Sequence, residues 1–222
     1  MRLRRLFLLA ALLGWPGLAA AQTNDAANGV FLVASPALLD PNFRHSVVLV
    51  TQLPDGGSVG FIVNRPGERS LAQILPDNAV LKRFTEPLYL GGPVEAAGLF
   101  AMFRAKDNPP GALRVLGDLS FAMDPAVVEQ LLHAPPERVR FFNGYAGWAP
   151  GQLALELELG GWHVLNADAD SVFRKNTNTL WQELLLRVRA ITASTQQDAD
   201  QLSGVSSDTP RFARRVSHRF GR

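Results

Sequence analysis

The stretch 143–157, Asn-Gly-Tyr-Ala-Gly-Trp-Ala-Pro-Gly-Gln-Leu-Ala-Leu-Glu-Leu, most constrains what this chain can fold into. Gly144, Gly147 and Gly151 bracket Tyr145 and Trp148. The backbone there can take positive φ or pass close to another segment, while two large amphipathic rings are held in fixed directions. The pattern reads as a strand running into a glycine-rich turn and out into a helix. Such a turn makes either a rigid pocket wall or a tight core turn. With no nucleophile, base or ligand set inside the motif, the structural role is the simpler one.

The elements around it can be read in order. Val30–Ala34 is an apolar run closed by Ser35-Pro36, followed by a loop over 36–43 with the turn signature Asp40-Pro41-Asn42. Residues 46–51 and 58–64 are β-branched runs separated by Pro54-Asp55-Gly56-Gly57, which predicts a hairpin. Ser70 is placed to cap a short helix through Leu75. Strands are expected at 88–90, 98–104 and 113–116. Asp124 followed by Pro125 opens a helix through His133, and 138–143 reads as a strand. Residues 153–159 alternate with period two, yet their Leu/Ala/Glu content and the flanking Pro150 and Gly160-Gly161 favour helix. A strand over 162–166, a helical turn over 168–173 and a helix over 179–190 complete the body. In that last helix Leu180, Trp181, Leu184, Leu185 and Val188 share one apolar face. Strands in groups with helices between some of them predict one α+β domain with a mixed sheet, spanning residues 29–193.

Charge is unevenly placed. Of the 22 Lys+Arg and 20 Asp+Glu, three Arg fall in residues 1–21, and five Arg and three Asp fall after 193. The body between keeps fourteen basic against seventeen acidic residues, a net −3, so a phosphate-tracking groove and direct DNA binding by the body are disfavoured. The chain has no cysteine, which excludes disulfides, thiol catalysis and cysteine metal sites. Residues 1–21 combine a Met-Arg-Leu-Arg-Arg start, a short apolar run and Ala19-Ala20-Ala21, the pattern of a secretory signal cleaved after Ala21. A linker over 22–28 and an exported, periplasmic protein are the expectation. A start assigned too far upstream would instead leave a cytoplasmic protein beginning near Gly29. Residues 194–209 are polar and expected to lack fixed structure. Beyond them Phe212, Val216 and Phe220 recur every fourth residue among Arg211, Arg214, Arg215 and Arg219, a basic amphipathic pattern suited to an anionic surface or an acidic partner.

Five motifs in order give the chain a resemblance to the YqgE/AlgH family. They are residues 31–36 with 40–48, Gly60-Phe61-Ile62-Val63-Asn64-Arg65-Pro66, Gly91-Gly92-Pro93-Val94, Gly144-Tyr145-Ala146-Gly147-Trp148 with Gly151-Gln152-Leu153, and Trp162 with Ala167-Asp168. The resemblance covers residues 29 to about 188. It implies a branched, strongly bent sheet folding into a pseudo-barrel with flanking helices. It implies little about activity: some members are labelled as candidate transcriptional regulators, a cytosolic role, and no catalytic residues carry over. Ala154 stands where the family commonly has Glu, so that carboxylate is missing here.

No catalytic constellation is visible. His45 and Ser46 are neighbours that a strand would point to opposite faces, and the four histidines show no metal-ligand spacing. No cofactor is expected. Arg65, beside Pro66, is placed either to clamp a carboxylate or phosphate or to pair internally with Asp40, the second being the simpler. The candidate ligand-binding residues are Asp40, Arg44, Asn64, Arg65, Gly91, Gly92, Tyr145, Trp148 and Gln152. They point to a non-enzymatic binding or regulatory protein that takes a small ligand or a protein. A cytosolic transcriptional regulator and a hydrolase using Ser46 or Ser35 are the alternatives.

Overall fold

The computed structural model describes residues 29–204, and it describes side chains through residue 197. Its strands are β1 (Val30–Ala34), β2 (Val47–Gln52), β3 (Ser58–Ile62), β4 (Pro66–Ser70), β5 (Pro87–Leu90), β6 (Val94–Arg104), β7 (Ala112–Leu116), β8 (Leu119–Ala122), β9 (Val139–Trp148) and β10 (Trp162–Asn166). The helices are α1 (Leu71–Ile74), α2 (Pro125–Leu131), α3 (Gln152–Glu158), α4 (Ala169–Phe173) and α5 (Leu180–Gly204). The main sheet runs β10-β1-β2-β3-β9-β6-β8-β7, with β4 and β5 as a side ribbon. This is the expected α+β fold with a strongly curled sheet.

The expected hairpin is present as β2 and β3, paired from Val48↔Ile62 to Gln52↔Ser58. The strands read as continuous apolar runs because both of their faces are covered. In β1, Phe31 and Val33 enter the interior of the curl with Phe61, Phe121 and Phe142, while Leu32 and Ala34 face an outer cluster with Trp148 and Trp162. A third cluster lies beneath α2, where Val127, Val128 and Leu131 pack on Phe103, Val139 and Phe141. Each fully buried Phe contributes about 1.5–3 kcal/mol. A one-residue slip of β1 would exchange its two face sets, so the register is firmly specified.

The glycine-rich stretch does not turn at Gly144. The strand continues through Trp148, and the sheet branches along it. Residues 139–143 of β9 lie between antiparallel β6 and parallel β5, whereas Ala146, Gly147 and Trp148 pair with β3. At the branch the backbones cross closely. A Cβ on Gly91 would sit 2.3 Å from the Gly144 carbonyl oxygen, one on Gly92 2.3 Å from the Tyr145 carbonyl carbon, and one on Gly144 2.5 Å from the Gly92 oxygen. Gly144 also has φ 65. Opposite it β6 bulges, its register jumping from Val94↔Tyr145 to Leu99↔Asn143. The residue before β1 meets the β7 edge, where the Gly29 amide donates to the Val115 carbonyl at 2.8 Å at an irregularity in β7.

Three further segments depart from the sequence expectation. Residues 119–122, for which no element was expected, form β8 between β6 and β7. Residues 66–70, read as the end of a strand and a cap, form β4, and Ser70 also caps α1 in a reciprocal box with Gln73. Helix α5 runs to Gly204, into the polar stretch expected to lack structure. Ala193, Gln196, Gln197, Ala199 and Gln201 are good helix formers, and they extend a helix already nucleated on the core by Leu180, Leu184 and Leu185. The signal-like residues 1–21, the 22–28 linker and the basic amphipathic end lie outside the described residues.

Helix α5 is clamped at its start. Arg174 donates to both carboxylate oxygens of Glu183 at 2.7 and 3.1 Å, and the Thr179 hydroxyl donates to Oε1. The Arg174 bonds first, then Thr179, hold the Glu183 carboxyl at about 2 against the usual 4.5. Because the folded-state value is lowered, this contribution is complete above the unfolded value and lost as pH falls toward 2. Thermal unfolding at about pH 6 and about pH 3 should therefore show a smaller acid penalty in Glu183→Gln than in the parent. Equal penalties would refute the clamp. The branch yields a second expectation. Gly144→Ala should cost more than about 3 kcal/mol in urea unfolding. Gly160→Ala, also at positive φ (74) but with nothing within 4 Å, should cost only about 1–2 kcal/mol. Comparable losses would show that the close approach at Gly144 is unimportant.

Candidate functional site

The site is built on the loop between β1 and β2. Asp40 Oδ1 accepts the Asn42 amide at 2.8 Å, and the Asp40 carbonyl accepts the amides of Phe43 and Arg44. This tight local turn ends at His45, which has φ 57. Asn64 holds the turn from behind: its Oδ1 accepts the Val47 amide at 2.7 Å and its Nδ2 donates to the His45 carbonyl at 2.9 Å. Arg65 completes the anchor by donating to the carbonyls of Asn42 at 2.6 Å and Arg44 at 3.3 Å. Partial burial, then the nearby Arg44 charge, lowers the Arg65 pKa, and Asp40 opposes them from a distance. The expected Arg65–Asp40 pair is thus replaced by backbone chelation. The guanidinium fork matches two carbonyls of one turn, while the Asp40 carboxylate is already used by its own loop.

The opposite side of this loop walls an open cleft of about 500 Å³. Phe43 stacks on Trp148 at 5.9 Å and meets Trp162 edge-on at 5.5 Å, and the two tryptophans are 6.2 Å apart. Glu156 joins them. Its Oε2 accepts the indole N–H of Trp148 at 3.0 Å and of Trp162 at 2.9 Å, and its Oε1 accepts Gln152 Nε2 at 3.0 Å. Gln152 in turn accepts the Ala149 amide at 3.1 Å, so the carboxylate is fixed by three N–H donors and a braced partner. Helix α3, which carries Gln152 and Glu156 one turn apart, starts from Gly151 at φ 80. Among the described residues lining the cleft, Asp40 and Glu156 are the charged ones, and Leu39 and Leu159 stand 85% and 77% exposed at its mouth.

Of the residues singled out from sequence, Asp40, Trp148 and Gln152 meet at this cleft, with Pro93 beside them. Asn64 and Arg65 lie behind the wall as anchors, and Arg44 is exposed outside the lining. Gly91 and Gly92 form the sheet branch. The Gly91 amide is taken by the Asn143 carbonyl at 2.8 Å, so it does not present to an anion. Tyr145 faces away from Trp148: the two are three positions apart on one strand and therefore belong to opposite faces. The Tyr145 ring packs edge-on against Phe100 at 5.3 Å, and burial, then Glu95, raises its pKa.

Sequence reasoning missed Glu156, Phe43 and Trp162 as members of one site. The available signal was Gln152 and Glu156 at helical i,i+4 spacing, near two indoles in need of acceptors. The groups considered for catalysis are otherwise engaged. The Ser46 hydroxyl donates to the Phe43 carbonyl at 2.6 Å, the His45 ring lies 4.3 Å from Trp181, and Ser35 Oγ accepts the Ala37 amide at 3.3 Å. Among the described residues no group of three His, Asp or Glu is placed to hold a metal ion. A smaller hollow of about 230 Å³ lies by Arg83, Glu86 and Arg140. There Arg140 serves the fold, donating to the carbonyls of Val172 and Arg174, pairing with Glu86 and lying over the Tyr89 ring.

The AlgH-like family model matches residues 31–192. A UPF0301 protein of Chlorobaculum tepidum is 35% identical over 156 residues, covering 69% of this chain and 82% of that protein. A UPF0301 protein of Mycobacterium tuberculosis is 37% identical over 164 residues, covering 72% and 81%. Among solved structures, the AlgH protein from Pseudomonas aeruginosa has a TM-score of 0.58 at 26% identity, covering 86% of this chain and 99% of that one. A crystal structure from Corynebacterium diphtheriae gives 0.59 at 26% identity, covering 74% and 88%. The matched region holds the whole curled sheet and the cleft, and the chain belongs to the AlgH-like family.

Proposed function

We propose that this chain is a non-enzymatic binding protein whose cleft between the Asp40 loop and α3 receives a basic, partly apolar segment of a protein partner. The observation that carries this reading is Glu156, a carboxylate fixed against two tryptophans by three N–H donors. A carboxylate used only to satisfy buried indoles could be replaced by a neutral acceptor. Here it stands with Asp40 as the charge of an aromatic cleft to which no Lys or Arg among the described residues contributes. Low-polarity walls strengthen the field of the half-buried Glu156, while Asp40 is exposed with Arg65 near it, so a guanidinium or ammonium group is favoured at the Glu156 end. The exposed Leu39 and Leu159 favour an aliphatic or aromatic neighbour on that segment. Sites of this size and mixed lining suit side chains more than an extended nucleic acid backbone.

The test is a titration of the protein with short amidated peptides of alternating Arg and Phe, read by tryptophan emission because Trp148 and Trp162 form the wall. Arg/Phe peptides should bind and weaken as salt is raised, and Glu/Phe counterparts should not. Glu156→Gln and Phe43→Ala should each raise Kd by about tenfold, or about 1.4 kcal/mol. Equal binding of acidic and basic peptides, or affinity unchanged in both variants, would overturn the assignment of this cleft.

A further inference from the structure

The chain carries, outside its described residues, a segment with the chemistry this cleft selects. Residues 211–222 read Arg-Phe-Ala-Arg-Arg-Val-Ser-His-Arg-Phe-Gly-Arg, with five arginines, two phenylalanines and no acidic residue. We propose that this basic amphipathic end is a tethered occupant of the cleft of its own chain, which any partner must displace. The proposal rests on the binding reading above and adds its regulation.

Complementarity comes first. The cleft offers Asp40 and Glu156, a Phe/Trp wall and two exposed leucines, and the tail offers Arg beside Phe212, Val216 and Phe220. Reach comes second. Helix α5 starts beside the site, where Trp181 Nε1 donates to the Ala34 carbonyl at 2.8 Å and its ring lies against His45. Farther along, Val188, Thr192 and Gln196 share a trough with Pro36. Ala37 and Leu38, immediately after Pro36, already line the cleft. From Gln196 to the printed end of α5 at Gly204 the helix advances about 12 Å. The six residues 205–210 then reach about 20 Å when extended, enough to cover that distance again in the return direction. Where a tether of six residues spans the two sites, its segment acts at an effective concentration in the millimolar range, so a weak intrinsic affinity suffices for occupancy.

Two measurements on the full chain test this. The chain has no cysteine, so Ala154→Cys on the exposed side of α3 and Val216→Cys in the tail accept spin labels uniquely. Pulsed dipolar spectroscopy should give one narrow distance that turns broad when Arg211, Arg214, Arg215, Arg219 and Arg222 are all replaced by Ser. A broad distribution in the unreplaced chain overturns the proposal. A narrow distance that survives only between two singly labelled chains would assign the tail to a second copy and overturn occupancy of its own cleft. A narrow distance that appears only on adding vesicles with anionic headgroups would assign the tail to a lipid surface, with the same consequence. In the Arg/Phe peptide titration the five-serine variant should bind at least about tenfold more tightly than the unreplaced chain. Equal binding by both refutes the tethered occupant while leaving the cleft assignment standing. Binding by neither refutes the cleft assignment itself.

Discussion

The fold depends on a place where two stretches of backbone, 91–92 and 144–146, pass closer than any side chain would allow. At Gly91, Gly92 and Gly144 an added Cβ would meet main-chain atoms at 2.3–2.5 Å. Main-chain atoms cannot swing aside as the end of a flexible side chain can, so the crossing is open only to glycine. The crossing lets β9 serve two neighbourhoods. Its first half lies between β5 and β6, and its second half leaves that layer to pair with β3. One strand thereby ties the interior aromatic cluster to the outer one, and it delivers Trp148 to the outer face at a fixed height.

The cleft inherits its rigidity from this arrangement and from a second anchor. The Asp40 loop would be a mobile surface excursion if it relied on its own turn. Asn64 and Arg65, at the exit of β3, instead bond four of its main-chain groups or their neighbours from behind. The polar groups that look most available for a ligand in sequence thus serve as scaffold, and the wall they steady carries Phe43 toward Trp148 and Trp162. Glu156 completes the wall. A carboxylate held by two indoles and an amide has its orientation set before anything binds, which lowers the ordering cost of recognition.

Much of this was legible from sequence because local signals and tertiary demands agree. The Pro54–Gly57 hairpin, the Asp124-Pro125 helix start and the apolar face of α5 all appear where turn chemistry and periodicity place them. The α+β class with a mixed sheet followed from the same signals, whereas the bent sheet followed from the family resemblance alone. Misreadings arose where a local signal had two physical uses. Glycines at 144 and 147 signal a turn, but they equally permit close passage of a continuing strand, and only the partner strands distinguish the two. Tyr145 and Trp148 looked like one pocket wall for that reason, although strand alternation sends them apart. A polar run after residue 193 resembles a disordered tail, but Ala and Gln also propagate a helix nucleated elsewhere. The role of Glu156 was only half legible: Gln152 stands at helical spacing from it, but the two indoles lie eight residues before and six after it, and only the fold brings them to its carboxylate.

A cleft hung from the branch requires the branch to be the most tightly held part of the backbone. Native-state amide exchange measures this directly at two hydrogens: the Gly91 amide bonded to the Asn143 carbonyl, and the Ile62 amide bonded to the Gly91 carbonyl, each at 2.8 Å. Both should exchange only through global unfolding, as slowly as any amide in the chain and with the denaturant dependence of the whole domain. Exchange at the rate of the exposed loop amides, independent of denaturant, would mean that the crossing opens locally and that the cleft is not built upon it.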